Sequence, residues 1–212
     1  MQCFLVVQSL INASTELHEK LIKQRTAYTS VHFRNAFKLT PKLPGNIALR
    51  SHIFLNKAAQ DISDKAIKDP EIAFIFRDLA KKFVRPQIKN GKPVFQVDGT
   101  GKPKIGADGQ PIIKTEPITR TETLNAVRTE IQDMIQQIVD GKSKYPSALP
   151  VLQNAYKNLV DSMKEASPPF RNGMDKYEEF TAKFIDPFEK SLAATLKSTP
   201  DYKSQPVNAL SG

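Results

Sequence analysis

The sequence holds one cysteine, no tryptophan, nine glycines and no long apolar run. A lone Cys3 makes no intrachain disulfide. That excludes a disulfide-stapled secreted scaffold and fits a reducing compartment. In the apolar run Cys3–Val7 the thiol is expected to be a small buried side chain. No segment approaches the roughly 18 apolar residues of a membrane helix, and no basic stretch precedes Cys3–Val7, so neither a span nor a cleavable signal peptide is expected. Asn208-Ala-Leu-Ser-Gly212 is not a prenylation box. Glycine normally outnumbers proline, yet here 15 prolines face nine glycines. The 40% hydrophobic content is enough for a core and too high for a disordered chain.

What is present is helical periodicity with sharp punctuation. Gln2–Tyr28 carries Phe4, Val7, Leu10, Ile11, Leu17, Leu21 and Ile22 mainly on one face, weakened at Asn12–Thr15. Val31–Leu39 is ambiguous, and Thr40-Pro41-Lys-Leu-Pro44-Gly45 is a break. A helix is expected over about 46–68 on the face Ile47, Ile53, Phe54, Ala58, Ile62, Ala66 and Ile67. Asp69-Pro70-Glu71 supplies an N-cap, a proline at N1 and an early acid for a helix faced by Ile72, Ile75, Phe76, Leu79 and Phe83. Thr119 with Glu122 forms a capping box ahead of Leu124, Val127, Ile131, Met134, Ile135 and Ile138, closed by Asp140-Gly141. Ser147 is expected to cap a helix faced by Val151, Leu152, Ala155, Leu159, Val160 and Met163. Ser167–Gly173 reads as a rigid link. Tyr177, Phe180, Phe184, Phe188, Leu192 and Leu196 then form a core stripe, with Asp186-Pro187 as a kink or a fresh cap. No helical repeat period is found. The expectation is therefore one mainly-α domain over 1–198, a bundle of about five to seven helices, with a flexible tail over 199–212.

Residues 89–117 differ in kind. Asn90-Gly-Lys-Pro93, Gly99-Thr-Gly-Lys-Pro103 and Asp108-Gly-Gln-Pro111 repeat a turn unit. Short apolar strands stand between them at 94–97, 104–105 and 112–113. Glycine beside Asp or Asn takes positive φ without steric cost, and proline suits an edge strand. A small inserted β-hairpin or meander follows, too small to own a core.

The charge gathers there as well. The formal net charge is +9. Residues 1–80 hold 11 basic and seven acidic residues, 81–118 hold eight and three, and 119–212 hold 12 of each. Lys81, Lys82, Arg85, Lys89, Lys92, Phe95, Lys102, Lys104 and Lys114 are accordingly the candidate partner-binding residues. Edge lysines also protect sheet margins from aggregation. The lack of Arg within the arm disfavours base or phosphate recognition, so a protein partner is expected ahead of nucleic acid or an anionic lipid surface.

Catalytic signatures are weak. His18, His32 and His52 have no metal-ligand spacing. The pairs Asp61/Asp64 and Glu130/Asp133 read as helix-surface charges, with Lys65 and Lys68 four residues after Asp61 and Asp64. Gly99-Thr-Gly101-Lys102 lacks the phosphate-loop spacing. No catalytic residue, cofactor or metal is expected. The general make-up, a Trp-free helical chain with a grafted hairpin, is similar to that of host-directed effectors of intracellular bacteria, and no residue role follows from that resemblance. The expected function is a non-enzymatic interaction module that uses the basic β insertion and an adjacent helix face to bind a partner, in the cytoplasm or in a host cytosol. The rivals are nucleic-acid or membrane-surface binding and an enzyme whose site is assembled from scattered residues.

Overall fold

The computed structural model describes residues 2–64, 69–106 and 109–191, with side chains omitted at 2–8, 10, 11 and 64. In chain order the helices are α1 (Gln2–Leu39), α2 (Gly45–Asp64), α3 (Pro70–Lys81), α4 (Thr121–Val139), α5 (Leu149–Ala166), α6 (Pro168–Phe180) and α7 (Asp186–Glu189). The strands are β1 (Val84–Pro86), β2 (Ile88–Lys89), β3 (Lys92–Pro93) and β4 (Thr115–Pro117). The fold is mainly α with a small antiparallel β insertion between α3 and α4. Contacts divide it into two compact units, one from the two ends of the chain, up to Leu39 and from Pro169, the other from Thr40 to Pro168.

In the unit of the chain ends, α1 runs unbroken through Asn12–Thr15 and through Val31–Leu39. Its described buried positions are Ser14, Thr29, Phe33 and Ala36, while Leu17, expected on the buried face, is exposed. Phe33 packs on Phe170 with ring centroids 5.7 Å apart, and Tyr28 on Phe180 at 5.9 Å. Arg25 lies 4.4 Å over the Tyr177 ring and donates to Thr181 Oγ1 at 3.2 Å. His18 stacks on Phe188 and meets Glu189 Oε1 at 3.0 Å. These pairings run in opposite directions along the chain, so α1 lies antiparallel to α6 and α7. Ser167–Gly173 is not a link: Pro168 and Pro169 open α6, where missing N–H groups cost nothing. The aromatic stripe is only partly core. Phe184 is 42% exposed, and Phe170, Met174 and Ile185 are the buried positions instead. Residues Thr181–Ile185 form a π-helical turn ahead of Pro187, which has no N–H for the α-helical ladder. Leu192, Leu196 and the expected tail lie outside the described residues.

The second unit is built on α2 to α5. Asp69 accepts from Ile72 N at 3.1 Å and caps α3 as the sequence predicts. Ile72, Phe76, Leu79 and Phe83 are buried, as are Leu152, Ala155, Leu159, Val160 and Met163 of α5. The buried face of α2 is rotated from the expected one. Ile47, Ala48, Ser51, Leu55 and Ala59 face inward, and Ile53 is 57% exposed. No Thr119–Glu122 capping box forms. Thr119 O accepts from Leu43 N at 2.7 Å and Arg120 bridges Lys42, so extended pairing with 41–43 has claimed this segment. Glu122 binds Arg120 instead, and the buried Thr121 hydroxyl donates to Thr40 O. Ser147 likewise gives no cap: it lies in a 3₁₀ turn over Pro146–Ala148 that leads into α5.

Candidate interaction surface

The insertion is rooted at Phe83, fully buried in the turn that follows α3. Ile118 N donates to Phe83 O at 2.9 Å, and β1 pairs antiparallel with β4 in the register Val84↔Pro117, Arg85↔Glu116, Pro86↔Thr115. Beyond this base the chain does not form a simple meander. It branches at two three-way junctions, each closed by a ring of three backbone hydrogen bonds. In the first, Gln87 N donates to Lys114 O (2.8 Å), Lys114 N to Val94 O (2.7 Å) and Val94 N to Gln87 O (2.9 Å). In the second, Gln96 N donates to Ile112 O, Ile112 N to Lys104 O and Lys104 N to Gln96 O, all at 2.8 Å. The Phe95↔Ile113 bridge joins the two junctions. The β2–β3 hairpin leaves the first junction, and ribbons bridged at Val97↔Pro103 and Ile105↔Pro111 leave the second.

The three repeated turn units are the three hairpin ends. Asn90 and Gly91, with φ of 52° and 73°, make the two-residue turn of β2–β3. In the second, Gly101 (φ 82°) donates to Asp98 O, and Asp98 N to Lys102 O. In the third, Gly109 (φ 76°) donates to Gly106 O, and Gly106 N to Gln110 O, so the same turn is built twice. Each positive-φ glycine stands two residues before the proline that faces an apolar β-branched residue: Ile88↔Pro93, Val97↔Pro103, Ile105↔Pro111. The Asp98 carboxylate accepts from Thr100 Oγ1 (2.7 Å), Thr100 N (2.8 Å) and Lys102 N (3.1 Å). These bonds, the Thr100 hydroxyl foremost, hold its pKa below the ordinary aspartate value.

Side chains alternate along each strand, and cross-strand partners share a face. That alternation sorts the arm into two chemical faces. Ile88, Pro93, Phe95, Val97, Pro103, Ile105, Pro111 and Ile113 fall on one. Lys89, Lys92, Lys102, Lys104 and Lys114 fall on the other, together with the Arg85–Glu116 ion pair at 2.7 Å, Gln87, Gln96 and the half-buried Val94 and Ile112. The apolar side is not buried: Ile88 is 56% exposed, Val97 55%, Ile105 58%, Phe95 39% and Ile113 38%. The five lysines have no carboxylate within ion-pair distance among the described residues, and Lys89 stands directly opposite Lys92.

The candidate residues therefore separate. Lys89, Lys92, Lys102, Lys104 and Lys114 come together. Phe95 lies on the opposite face, away from the lysines it was grouped with. Lys82 is engaged by Glu130 and, at 3.8 Å, by Asp78, and Arg85 is engaged by Glu116. Lys81 is exposed in the last turn of α3. The members that the grouping missed are Ile88, Val97, Ile105 and Ile113. Their signal was in the sequence: Val97 and Ile105 directly precede their turns, Ile88 stands two residues before Asn90-Gly91, and Ile113 precedes Lys114.

The helical body offers less. A groove of about 380 Å³ is lined by Ile47, Arg50, Ser51, Phe54, Ala155, Asn158, Asp161, Ser162 and Glu165, with Asp161 paired to Lys157 at 2.6 Å. A second, of about 280 Å³, includes Lys142, Lys144 and Tyr145. The Glu71 carboxylate and the Tyr145 hydroxyl raise the Lys144 pKa, and Glu71 is lowered in return. His52 Nδ1 donates to Ala80 O at 2.9 Å and its Nε2 accepts from Asn56 at 3.1 Å, so it ties α2 to α3. Among the described residues, no group of three or more His, Cys, Asp or Glu is placed to hold a metal ion, and no helix is long and apolar enough to cross a membrane.

No family model, curated protein or solved structure matches this chain. The assignment of function rests on the chemistry of its own surfaces.

Proposed function

We propose that the chain is a non-enzymatic protein-interaction module whose lysine face reads an acidic partner surface. One observation carries this reading: five lysines share one face of an exposed arm, none of them within ion-pair distance of a carboxylate among the described residues, and two stand directly across a hairpin. Like charges opposed across strands cost stability, so a sequence that keeps them has another use for them, and an acidic partner removes the cost. The charge steers encounter and sets specificity. The setting, the cytoplasm or a host cytosol, is part of the same proposal.

The test is affinity capture with the intact chain against a Lys89→Glu/Lys92→Glu/Lys102→Glu/Lys104→Glu variant. An acidic protein retained by the first, lost with the second and released by salt supports the reading. Retention of the same protein by both overturns it. Nucleic acid recovered in place of protein, with affinity falling steeply with salt, moves the assignment to polyanion binding.

A further inference from the structure

We infer that the apolar face of the arm is the seat of a second copy of this chain, the two arms packing face to face with their lysine faces outward. The paired positions on this face carry no charged residue, whereas the opposite face carries the five lysines. A homotypic contact here covers exposed Ile88, Val97 and Ile105 and brings no lysines together, because they lie on the far side of each arm. Sheets pack face to face at about 10 Å through such apolar surfaces. The face also repeats one pairing along its length. Each ribbon sets a β-branched knob beside a flat proline ring (Ile88 by Pro93, Val97 by Pro103, Ile105 by Pro111). Under a two-fold axis the knobs of one copy meet the prolines of the other. Edge-to-edge strand pairing is the competing route to association, and those same prolines oppose it by offering no N–H along the ribbon margins. A lipid bilayer is a poorer match: the hairpin ends carry Asn90-Gly91 and Asp98–Gly101 rather than apolar residues, and the lysines point away from this face. The dimer carries two basic faces and so engages a partner bivalently.

Sedimentation velocity on the full chain, from low micromolar to submillimolar concentration, tests this. The expected result is a concentration-dependent dimer that survives high salt. Val97→Lys/Ile105→Lys, at two exposed positions, abolishes the dimer with an unchanged melting curve. Lys102→Glu/Lys104→Glu leaves it intact. A monomer at every concentration overturns the inference, as does a dimer insensitive to Val97→Lys/Ile105→Lys. A monomer that co-sediments with phosphatidylserine vesicles, and loses that property in Val97→Lys/Ile105→Lys, overturns it by assigning the face to lipid. None of these outcomes bears on capture of an acidic protein by the lysine face, which stands or falls by its own test.

Discussion

Replacing Gly45 by alanine should loosen the root of the arm. A Cβ at Gly45 would lie 2.8 Å from Pro117 Cγ and 3.5 Å from Pro117 Cβ. Pro117 has little room to yield: it sits opposite Val84 in the β1–β4 register, and the next residue is tied to Phe83 O. The new methyl therefore shifts either the start of α2 or the strand pair. Overpacking of this kind costs about 1–3 kcal/mol, offset by about 0.4–1 kcal/mol from the smaller entropy of the unfolded chain. The net expectation is a loss of about 0.5–2 kcal/mol in urea denaturation. Pro117→Ala removes the obstructing ring, so the cycle Gly45→Ala, Pro117→Ala and the double variant should show a favourable coupling of at least about 0.5 kcal/mol. If Gly45→Ala is as stable as the parent, or the two substitutions add, this account of how the arm is seated on α2 is wrong.

Three further expectations follow from particular contacts. Lys92→Glu places opposite charges across the β2–β3 hairpin and should stabilise it by about 0.2–1 kcal/mol, seen as slower amide exchange at Lys89, while capture of an acidic partner falls; stability and binding moving together would contradict a functional role for the pair. Because the Asp98 pKa is lowered on folding, its contribution to the turn is complete above the ordinary aspartate value and is lost as pH falls through the lowered folded value. A titration of the Thr100 and Lys102 amide shifts should show the turn opening only on the acid side of that ordinary value, near pH 4, and Asp98→Ala should abolish the dependence. Leu159→Ala removes a fully buried side chain of α5 and should cost about 2–5 kcal/mol by thermal or urea denaturation, with a loss under about 1 kcal/mol refuting its core position.

How much of this was legible before the structure varies from element to element. α3 was plain because its cap is local: Asp69, Pro70 and Glu71 specify the start, and Ile72, Phe76 and Leu79 give one stripe. α5 was plain from its stripe alone, Leu152, Ala155, Leu159, Val160 and Met163, although the expected Ser147 cap does not form. α2 was not, because Ile47, Ala48, Ile53, Phe54, Leu55, Ala58, Ala59 and Ile62 support two overlapping stripes. Packing against α3 and α5 decides between them by burying Leu55 and Ala59 rather than Ile53. Thr119 and Glu122 satisfy a capping box locally, but a distant segment, Pro41–Leu43, competes for the same backbone and wins. The two prolines at 168–169 read as a link because proline breaks a helix interior, yet in the first turn a missing N–H costs no hydrogen bond, and α6 starts there. In the arm, the repeated Gly-Lys-Pro and Gly-Gln-Pro units announced the turns. The junctions were hidden, since each ring of hydrogen bonds joins three distant residues. The separation of lysines from apolar side chains was visible in principle, yet it appears only when alternation is followed through each turn.

The two-faced arm underlies both proposals, and backbone amide exchange followed by NMR tests it most directly. The account predicts protection at the six junction amides of Gln87, Val94, Gln96, Lys104, Ile112 and Lys114, each donating within its ring. It predicts fast exchange at Phe95, Val97, Ile105 and Ile113, whose N–H groups point away from their cross-strand partners. Uniform protection along 94–97 and 112–114, or fast exchange at all six junction amides, would contradict the branched arrangement and the separation of faces that depends on it.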